Sequence, residues 1–90
     1  MTQRGPEFTV MFTKLAVKEL ADLQRELMMQ VDECACALAE NPFPVGFVPV
    51  KGRPGMFRVR QGRYRILYTV NSTSKIVVVA TIGHRREVYE

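Results

Sequence analysis

The stretch Phe57-Arg-Val-Arg-Gln-Gly-Arg-Tyr-Arg-Ile-Leu-Tyr68 alternates apolar and basic residues on both sides of Gln61-Gly62. An alternation with a period of two predicts β-strands with two different faces, and the central glycine predicts a hairpin turn. If Gln61 and Gly62 form the loop, residues directly opposite each other point to the same face. The predicted pairs are Arg60 with Arg63, Val59 with Tyr64, and Arg58 with Arg65.

This hairpin has one apolar face and one basic face. The apolar face carries Phe57, Val59, Tyr64, Ile66 and Tyr68, and the basic face carries Arg58, Arg60, Arg63 and Arg65. Like charges directly opposite one another destabilise a sheet. Folding alone does not require such an arrangement, whereas binding to a polyanion does.

The charge of the chain is divided unevenly between its halves. Residues 1–45 hold four basic and seven acidic residues, a net charge of −3, and residues 46–90 hold nine basic and two acidic residues, a net charge of +7. A basic half of this kind favours nucleic acid or another acidic partner. No apolar run reaches membrane-spanning length and no signal peptide is recognisable, so we expect a cytoplasmic protein with no membrane partner.

The flanking sequence supplies one helical region and further strands. The predicted elements are a strand at 7–12, helix at 13–39, a weak edge strand within 45–55, hairpin strands at 56–60 and 63–70, and a strand at 75–82 that is apolar on both faces. Thr13 is the predicted N-cap. An unbroken helix over 13–39 would be unusually long for so small a domain, so we predict two antiparallel helices joined near residues 23–25.

These elements predict an α+β fold in a single domain, residues 1–90. Two N-terminal helices pack on one face of a twisted, mainly antiparallel sheet of about four strands, in the order β-α-α-(β)-β-β-β. The apolar hairpin face meets the helices, because nothing else can cover it. The arginine face is then left open to solvent.

Several motifs together resemble the RelE/ParE superfamily of bacterial and archaeal toxins, and in particular its RelE-type mRNA interferases. The resemblance covers nearly everything from Phe8 to Tyr89. It is carried by Phe12-Thr-Lys-Leu-Ala-Val-Lys-Glu-Leu20, Leu38-Ala-Glu-Asn-Pro42, Lys51-Gly52, Phe57-Arg-Val-Arg60, Gly62-Arg-Tyr-Arg-Ile-Leu-Tyr68 and Ile82-Gly-His-Arg-Arg-Glu-Val-Tyr89.

The resemblance implies a RelE-like fold and the toxin of a type II toxin–antitoxin system. The implied activity is a ribosome-dependent, metal-independent endoribonuclease that cuts messenger RNA in the A site and inhibits translation. A ribose 2′-hydroxyl attacks the adjacent phosphate, and no cofactor or metal is expected. Preorganised guanidinium groups suit this reaction, because negative charge concentrates on the phosphoryl oxygens in its transition state.

Motif position gives the candidate catalytic residues. They are Arg58, Arg60, Arg65, Arg85 and Tyr89, with His84 as a further candidate. Some relatives have lysine where this chain has Arg58 and Arg60, and arginine stays charged at any relevant pH, so Arg60 is a poor general base. Tyr89, His84 and the ribosomal RNA remain the candidates for taking the 2′-hydroxyl proton.

The remaining basic residues are candidates for binding RNA or the ribosome. They are Lys51, Arg53, Arg63 and Arg86. The implied partners are the ribosome, messenger RNA and a cognate antitoxin with an acidic, partly disordered segment; the toxin alone is expected to be a monomer and to form a higher-order complex with the antitoxin. Two alternatives stay open: a ParE-like inhibitor of DNA gyrase that cleaves no RNA, and an inactive relative that only binds its antitoxin.

Overall fold

The computed structural model describes residues 7–84, which fold into five strands and two helices. The strands are β1 (Thr9–Phe12), β2 (Val48–Pro49), β3 (Met56–Gln61), β4 (Tyr64–Asn71) and β5 (Ile76–Gly83). The helices are α1 (Lys14–Ala21) and α2 (Arg25–Cys36), and a 3₁₀ turn at Ala37–Ala39 follows α2. The predicted order of elements is confirmed, and β2 is the strand that was predicted to be weak.

The five strands form one mixed sheet in the order β1-β5-β4-β3-β2. β1 runs parallel to β5, and every other neighbouring pair is antiparallel. The predicted α+β class is confirmed, and β5, the strand that is apolar on both faces, lies inside the sheet between β1 and β4. The prediction of about four strands with a further weak one agrees with the sheet, in which the weak strand is β2, only two residues long, paired with Phe57 and Arg58 of β3.

The helical region is divided as predicted. The Thr13 side chain accepts a hydrogen bond from the Ala16 N–H at 3.0 Å, which confirms Thr13 as the N-cap of α1. The first helix ends at Ala21 and the second begins at Arg25, so the predicted joint near residues 23–25 is also confirmed. The break lets the chain fold back, and the apolar sides of both helices can then cover the same sheet.

The core lies between the helices and one face of the sheet. Val59, Ile66 and Tyr68 from the apolar hairpin face belong to a single buried cluster. The helical region contributes Ala16, Val31, Ala35 and Leu38, and β5 contributes Val77, Val79 and Ile82. The prediction that the apolar hairpin face meets the helices is therefore confirmed.

Tyr68 contacts both the sheet and the loop that follows the helices, and holds the two together. It is fully buried, and its hydroxyl donates a 2.6 Å hydrogen bond to the Pro42 carbonyl oxygen. Its ring lies 6.0 Å from that of Phe57, which in turn contacts Phe43 at 5.2 Å and Phe47 at 5.8 Å, all between centroids. These contacts hold the loop beside β3, where it gives rise to β2.

Ionisation of Tyr68 is expected to destabilise the fold at high pH. Burial, reinforced by the nearby Cys34, raises the pKa of Tyr68 to about 12. The unfolded chain releases this proton at about pH 10, so the stabilisation is complete below that pH and is lost as the pH rises towards the folded pKa. Alkaline denaturation followed by circular dichroism measures the loss. A Tyr68→Phe variant should lack this part of the pH dependence, and superimposable curves for the two proteins would contradict the assignment.

Neither helix within residues 7–84 combines the length and the apolar composition that crossing a bilayer requires.

Candidate functional site

The hairpin turn lies one residue later than predicted. Gln61 pairs with Tyr64 and Arg60 with Arg65, so the loop consists of Gly62 and Arg63 rather than Gln61 and Gly62. Gly62 has a φ of +61°, and Arg63 does not have a positive φ. A type II′ turn needs a positive φ only at its first central position. The predicted loop would have placed Gln61 there, and the observed loop places a glycine there instead.

The predicted pairs are wrong, but the predicted faces are correct. Arg60 lies opposite Arg65 instead of Arg63, and Arg58 lies opposite Leu67 instead of Arg65. Each partner has moved by two positions, and a shift of two leaves every side chain on its own face. Arg58, Arg60 and Arg65 therefore share the face turned away from the helices; we call these three residues the arginine cluster.

The arginine cluster differs in exposure from one residue to the next. Arg60 is exposed, Arg58 is half-buried, and Arg65 is only 8% exposed. The expectation that the whole arginine face is open to solvent is thus wrong at Arg65. Arg65 is buried because it belongs to β4, which lies between β3 and β5. Leu67, on the same face of β4, is fully buried.

The cluster concentrates positive charge. Arg60 and Arg65 face each other directly, which places their Cβ atoms about 4.5–5.5 Å apart. Within residues 7–84, no carboxylate forms an ion pair with Arg58, Arg60 or Arg63. The positive field of these side chains is therefore available to an anion that approaches from solvent.

The other basic candidates lie at the two ends of the hairpin. Arg63 is exposed in the β3–β4 turn, close to the arginine cluster. Lys51 and Arg53 are exposed in the loop before β3, which is closed by a hydrogen bond from the Met56 N–H to the Arg53 carbonyl oxygen at 3.1 Å. The six residues of β3 separate the two ends by about 20 Å. The structure does not bring Lys51 and Arg53 together with Arg63.

His84 contacts the face of the hairpin that does not carry the arginine cluster. It follows β5 directly, is exposed, and its ring contacts that of Tyr64 at 5.3 Å between centroids. Tyr64 lies on the helix-facing side of the hairpin, where it packs against the core cluster. The imidazole ring therefore lies on the opposite side of the sheet from Arg60 and Arg65. Arg85, Arg86 and Tyr89 lie outside the described residues.

One feature of the site has no counterpart in the sequence-based prediction. The pairing of β4 with β5 contains a bulge: Tyr68 pairs with Val79, but Leu67 pairs with Thr81. As a result, Gly83 lies opposite Arg65. Because β5 is apolar on both faces, its sequence does not alternate between apolar and polar residues. A change in which residues face the core, such as the bulge causes, therefore could not be predicted from it.

Comparisons with known proteins agree on one group of toxins. Residues 10–89 match the family model described as the ParE toxin of the type II toxin–antitoxin system parDE. The chain is 32% identical over 83 residues to toxin RelG of Mycobacterium tuberculosis, covering 91% of this chain and 95% of that protein.

Solved structures give the same result. The toxin–antitoxin complex RelBE2 of M. tuberculosis contains a chain similar to this one with a TM-score of 0.77 and 30% identity, covering 93% of this chain and 98% of that chain. The archaeal RelE–RelB complex of Pyrococcus horikoshii matches with a TM-score of 0.77 and 25% identity, over 89% of this chain and 97% of that one. The isolated RelE toxin of E. coli, at 24% identity and a TM-score of 0.74, supports the fold.

Proposed function

The chain belongs to the ParE toxin family of type II toxin–antitoxin systems, within the RelE/ParE superfamily, and we propose on this basis that it is a ribosome-dependent endoribonuclease. It cleaves messenger RNA in the ribosomal A site and thereby inhibits translation. The observation that carries the proposal is the arginine cluster, with Arg60 and Arg65 directly opposite each other on neighbouring strands.

The cluster suits cleavage by the neighbouring ribose. The 2′-hydroxyl oxygen forms a bond to phosphorus, the bond from phosphorus to the 5′-oxygen breaks, and the products are a 2′,3′-cyclic phosphate and a free 5′-hydroxyl. Negative charge grows on the non-bridging oxygens along this path, and fixed guanidinium groups lower its energy. This electrostatic chemistry needs no metal ion, as the resemblance implies.

Arg60 and Arg65 contribute in different ways. Arg60 is exposed and can contact a phosphate that arrives from solvent. Arg65, with 8% of its surface exposed, lies in a region of lower dielectric constant, where a charge acts more strongly on its neighbours. Neither can accept the 2′-hydroxyl proton, because arginine remains protonated. His84, Tyr89 and the ribosomal RNA remain the candidate bases, and the contact of His84 with Tyr64 makes it the least favoured.

We propose a cognate antitoxin as the partner that holds the toxin inactive. In the M. tuberculosis RelBE2 complex the related toxin is bound to an antitoxin. A groove of about 520 Å³ lies between α2 and the end of β3, and its lining includes Leu38, Val59 and Arg60. An acidic, partly disordered antitoxin segment that wraps the helices could pass along this groove to the arginine cluster. The toxin alone would be a monomer and the complex a larger assembly.

Primer extension on a message translated by purified ribosomes tests the function. Breaks at defined A-site positions after addition of the protein are the expected result, and Arg85→Ala or Tyr89→Phe should reduce them. The family model is that of ParE, so a gyrase supercoiling assay is run in parallel. Supercoiling inhibition without RNA breaks would replace our proposal with gyrase inhibition, and inactivity in both assays would leave a protein that only binds its antitoxin.

Arg63 is predicted to strengthen ribosome binding through a salt-dependent contact. It is exposed in the turn beside the arginine cluster, so Arg63→Glu should weaken ribosome binding most at low salt and lower the slope of log Kd against log salt by about 1. Binding is measured by co-sedimentation with ribosomes over a salt series. Arg25→Glu on the exposed start of α2 is the matched control, and equal slopes for wild type and Arg63→Glu would make Arg63 a turn residue only.

A further inference from the structure

The bulge in β5 determines which residue lies beside the arginine cluster. Before it, Tyr68 pairs with Val79; after it, Leu67 pairs with Thr81 and Arg65 with Gly83. Continued without the bulge, the first register would place Ile82 opposite Arg65 and turn its side chain towards the arginine face. The bulge instead returns Ile82 to the core, where it is 3% exposed, and leaves a residue without a side chain opposite Arg65. Bulges commonly re-aim strands in this way beside functional sites.

Beyond the bulge, none of the strands within residues 7–84 pairs with the outer side of β5. β1 pairs with β5 only as far as Phe12 opposite Val79. The backbone groups that follow would face solvent or remain unpaired, and buried groups of this kind destabilise a fold. Helix α1 lies along this gap.

Side chains at the start of the helical region replace the missing strand. The Thr13 hydroxyl donates to the carbonyl oxygen of Ala80 at 2.8 Å. The Glu19 carboxylate accepts hydrogen bonds from two donors: the Ile82 N–H donates to its Oε1 at 2.7 Å, and the Thr81 hydroxyl donates one bifurcated bond, at 2.8 Å from Oε1 and 3.0 Å from Oε2. We call these bonds from Thr81 and Ile82 the Glu19 clamp. Bonds to a charged acceptor are roughly twice as strong as neutral ones.

The Glu19 carboxylate has no competing cation in the described part of the chain, since no lysine or arginine of residues 7–84 forms an ion pair with it. Its contacts are with the last residues of β5, which continue into Gly83 and His84. A strand end held only by its pairing with β4 would fray, and the clamp opposes that fraying.

We propose that Glu19 is a positioning residue of the cleavage site: by clamping Thr81 and Ile82 it fixes the bulged end of β5, and with it Gly83, beside Arg65. This role rests on the proposed function. Glu19 itself does not touch the substrate. Its effect is on the geometry of the site, and displacement of reacting groups by about 1 Å can reduce a rate roughly 100-fold.

Single-turnover cleavage on ribosomes programmed with a defined message tests the role. Glu19→Ala removes the bonds from both Thr81 and Ile82, whereas Glu19→Gln keeps an oxygen that can accept from the Ile82 N–H. At saturating ribosomes we expect Glu19→Ala to be slowed about 100-fold and Glu19→Gln less than about threefold. The half-saturating ribosome concentration should change less than about twofold, because substrate binding is unaffected. Glu26→Ala, on the exposed start of α2, is the matched control.

Hydrogen exchange of the Ile82 amide gives a readout that does not depend on cleavage. Loss of the clamp in Glu19→Ala should speed this exchange by about tenfold or more, with little change in Glu19→Gln or Glu26→Ala. Circular dichroism at the assay temperature establishes that each variant is folded. An exchange rate unaffected by Glu19→Ala would mean that the clamp does not hold the strand end.

The outcomes separate the two proposals. If the wild type cleaves and folded Glu19→Ala cleaves equally fast, the positioning role is wrong and the proposed function stands. If Glu19→Gln is as slow as Glu19→Ala, or if both rates follow the fraction of unfolded protein, the role is also wrong. If the wild type does not cleave at all, the proposed function fails and the positioning role fails with it, even where the exchange data reveal the clamp.

Discussion

Arg65→Met is expected to reduce cleavage about 1,000-fold, close to the largest loss found when one preorganised donor is removed from an active site. The substitution removes the guanidinium charge opposite Arg60 but keeps an unbranched apolar side chain about as long as the aliphatic stem of arginine. Since only 8% of Arg65 is exposed, its stem contributes to packing as well as to the charge of the site. Methionine preserves that packing, so the free energy of unfolding should fall by about 1–2 kcal/mol.

Cleavage by Arg65→Met is measured in the single-turnover assay, and its stability by urea denaturation. Arg25→Met, which removes an exposed positive charge from α2, is the control for net charge and should cleave normally. Arg65→Lys keeps a positive charge but loses the planar fork, so it should fall between wild type and Arg65→Met. A folded Arg65→Met protein that cleaves within tenfold of wild type would remove Arg65 from the site. If Arg65→Met is unfolded, the rate of folded Arg65→Lys decides the question.

Tyr68→Ala should have the largest effect on stability. Truncation of a fully buried aromatic residue costs about 3–5 kcal/mol. Here the contact with Phe57 and the hydrogen bond to Pro42 are lost as well. A domain of this size is stable by about 5–15 kcal/mol, so the variant should be partly or largely unfolded at 37 °C.

Thermal and urea denaturation measure this loss. Tyr68→Phe keeps the ring and leaves only the buried Pro42 carbonyl without its donor, at a cost of about 1–3 kcal/mol. Tyr64→Phe is the matched control, because Tyr64 is half-buried and its hydroxyl has no hydrogen-bond partner within residues 7–84. If Tyr68→Phe and Tyr64→Phe were equally stable, the bond to Pro42 would contribute nothing.

The hairpin illustrates how far sequence reasoning extends. Alternation along residues 57–68 assigned each side chain to the correct face, because the side-chain period of a strand is two whatever its partner. It did not give the pairing, since the turn could be centred one residue earlier or later. The conformation of Gly62 decided this, by taking the first central position of the turn, where only a positive φ fits.

The functional site also combines features that the sequence predicts with features that only the tertiary structure reveals. The chain could be assigned to its superfamily from motifs, and the arginine cluster from their spacing. The burial of Arg65 and the pairing of Gly83 opposite it depend on β5, which lies far away in the sequence. No local pattern could reveal these features.

The sequence by itself therefore determined the class of fold, the break between the helices, the family and the face on which the arginines lie. These features follow from local periodicity, capping and motif spacing. Tertiary structure alone decided the strand register, the burial of Arg65 and the clamp between Glu19 and Ile82. Each of these depends on contacts between distant segments, and their geometry is fixed only when the whole sheet and the helix beside it have assembled.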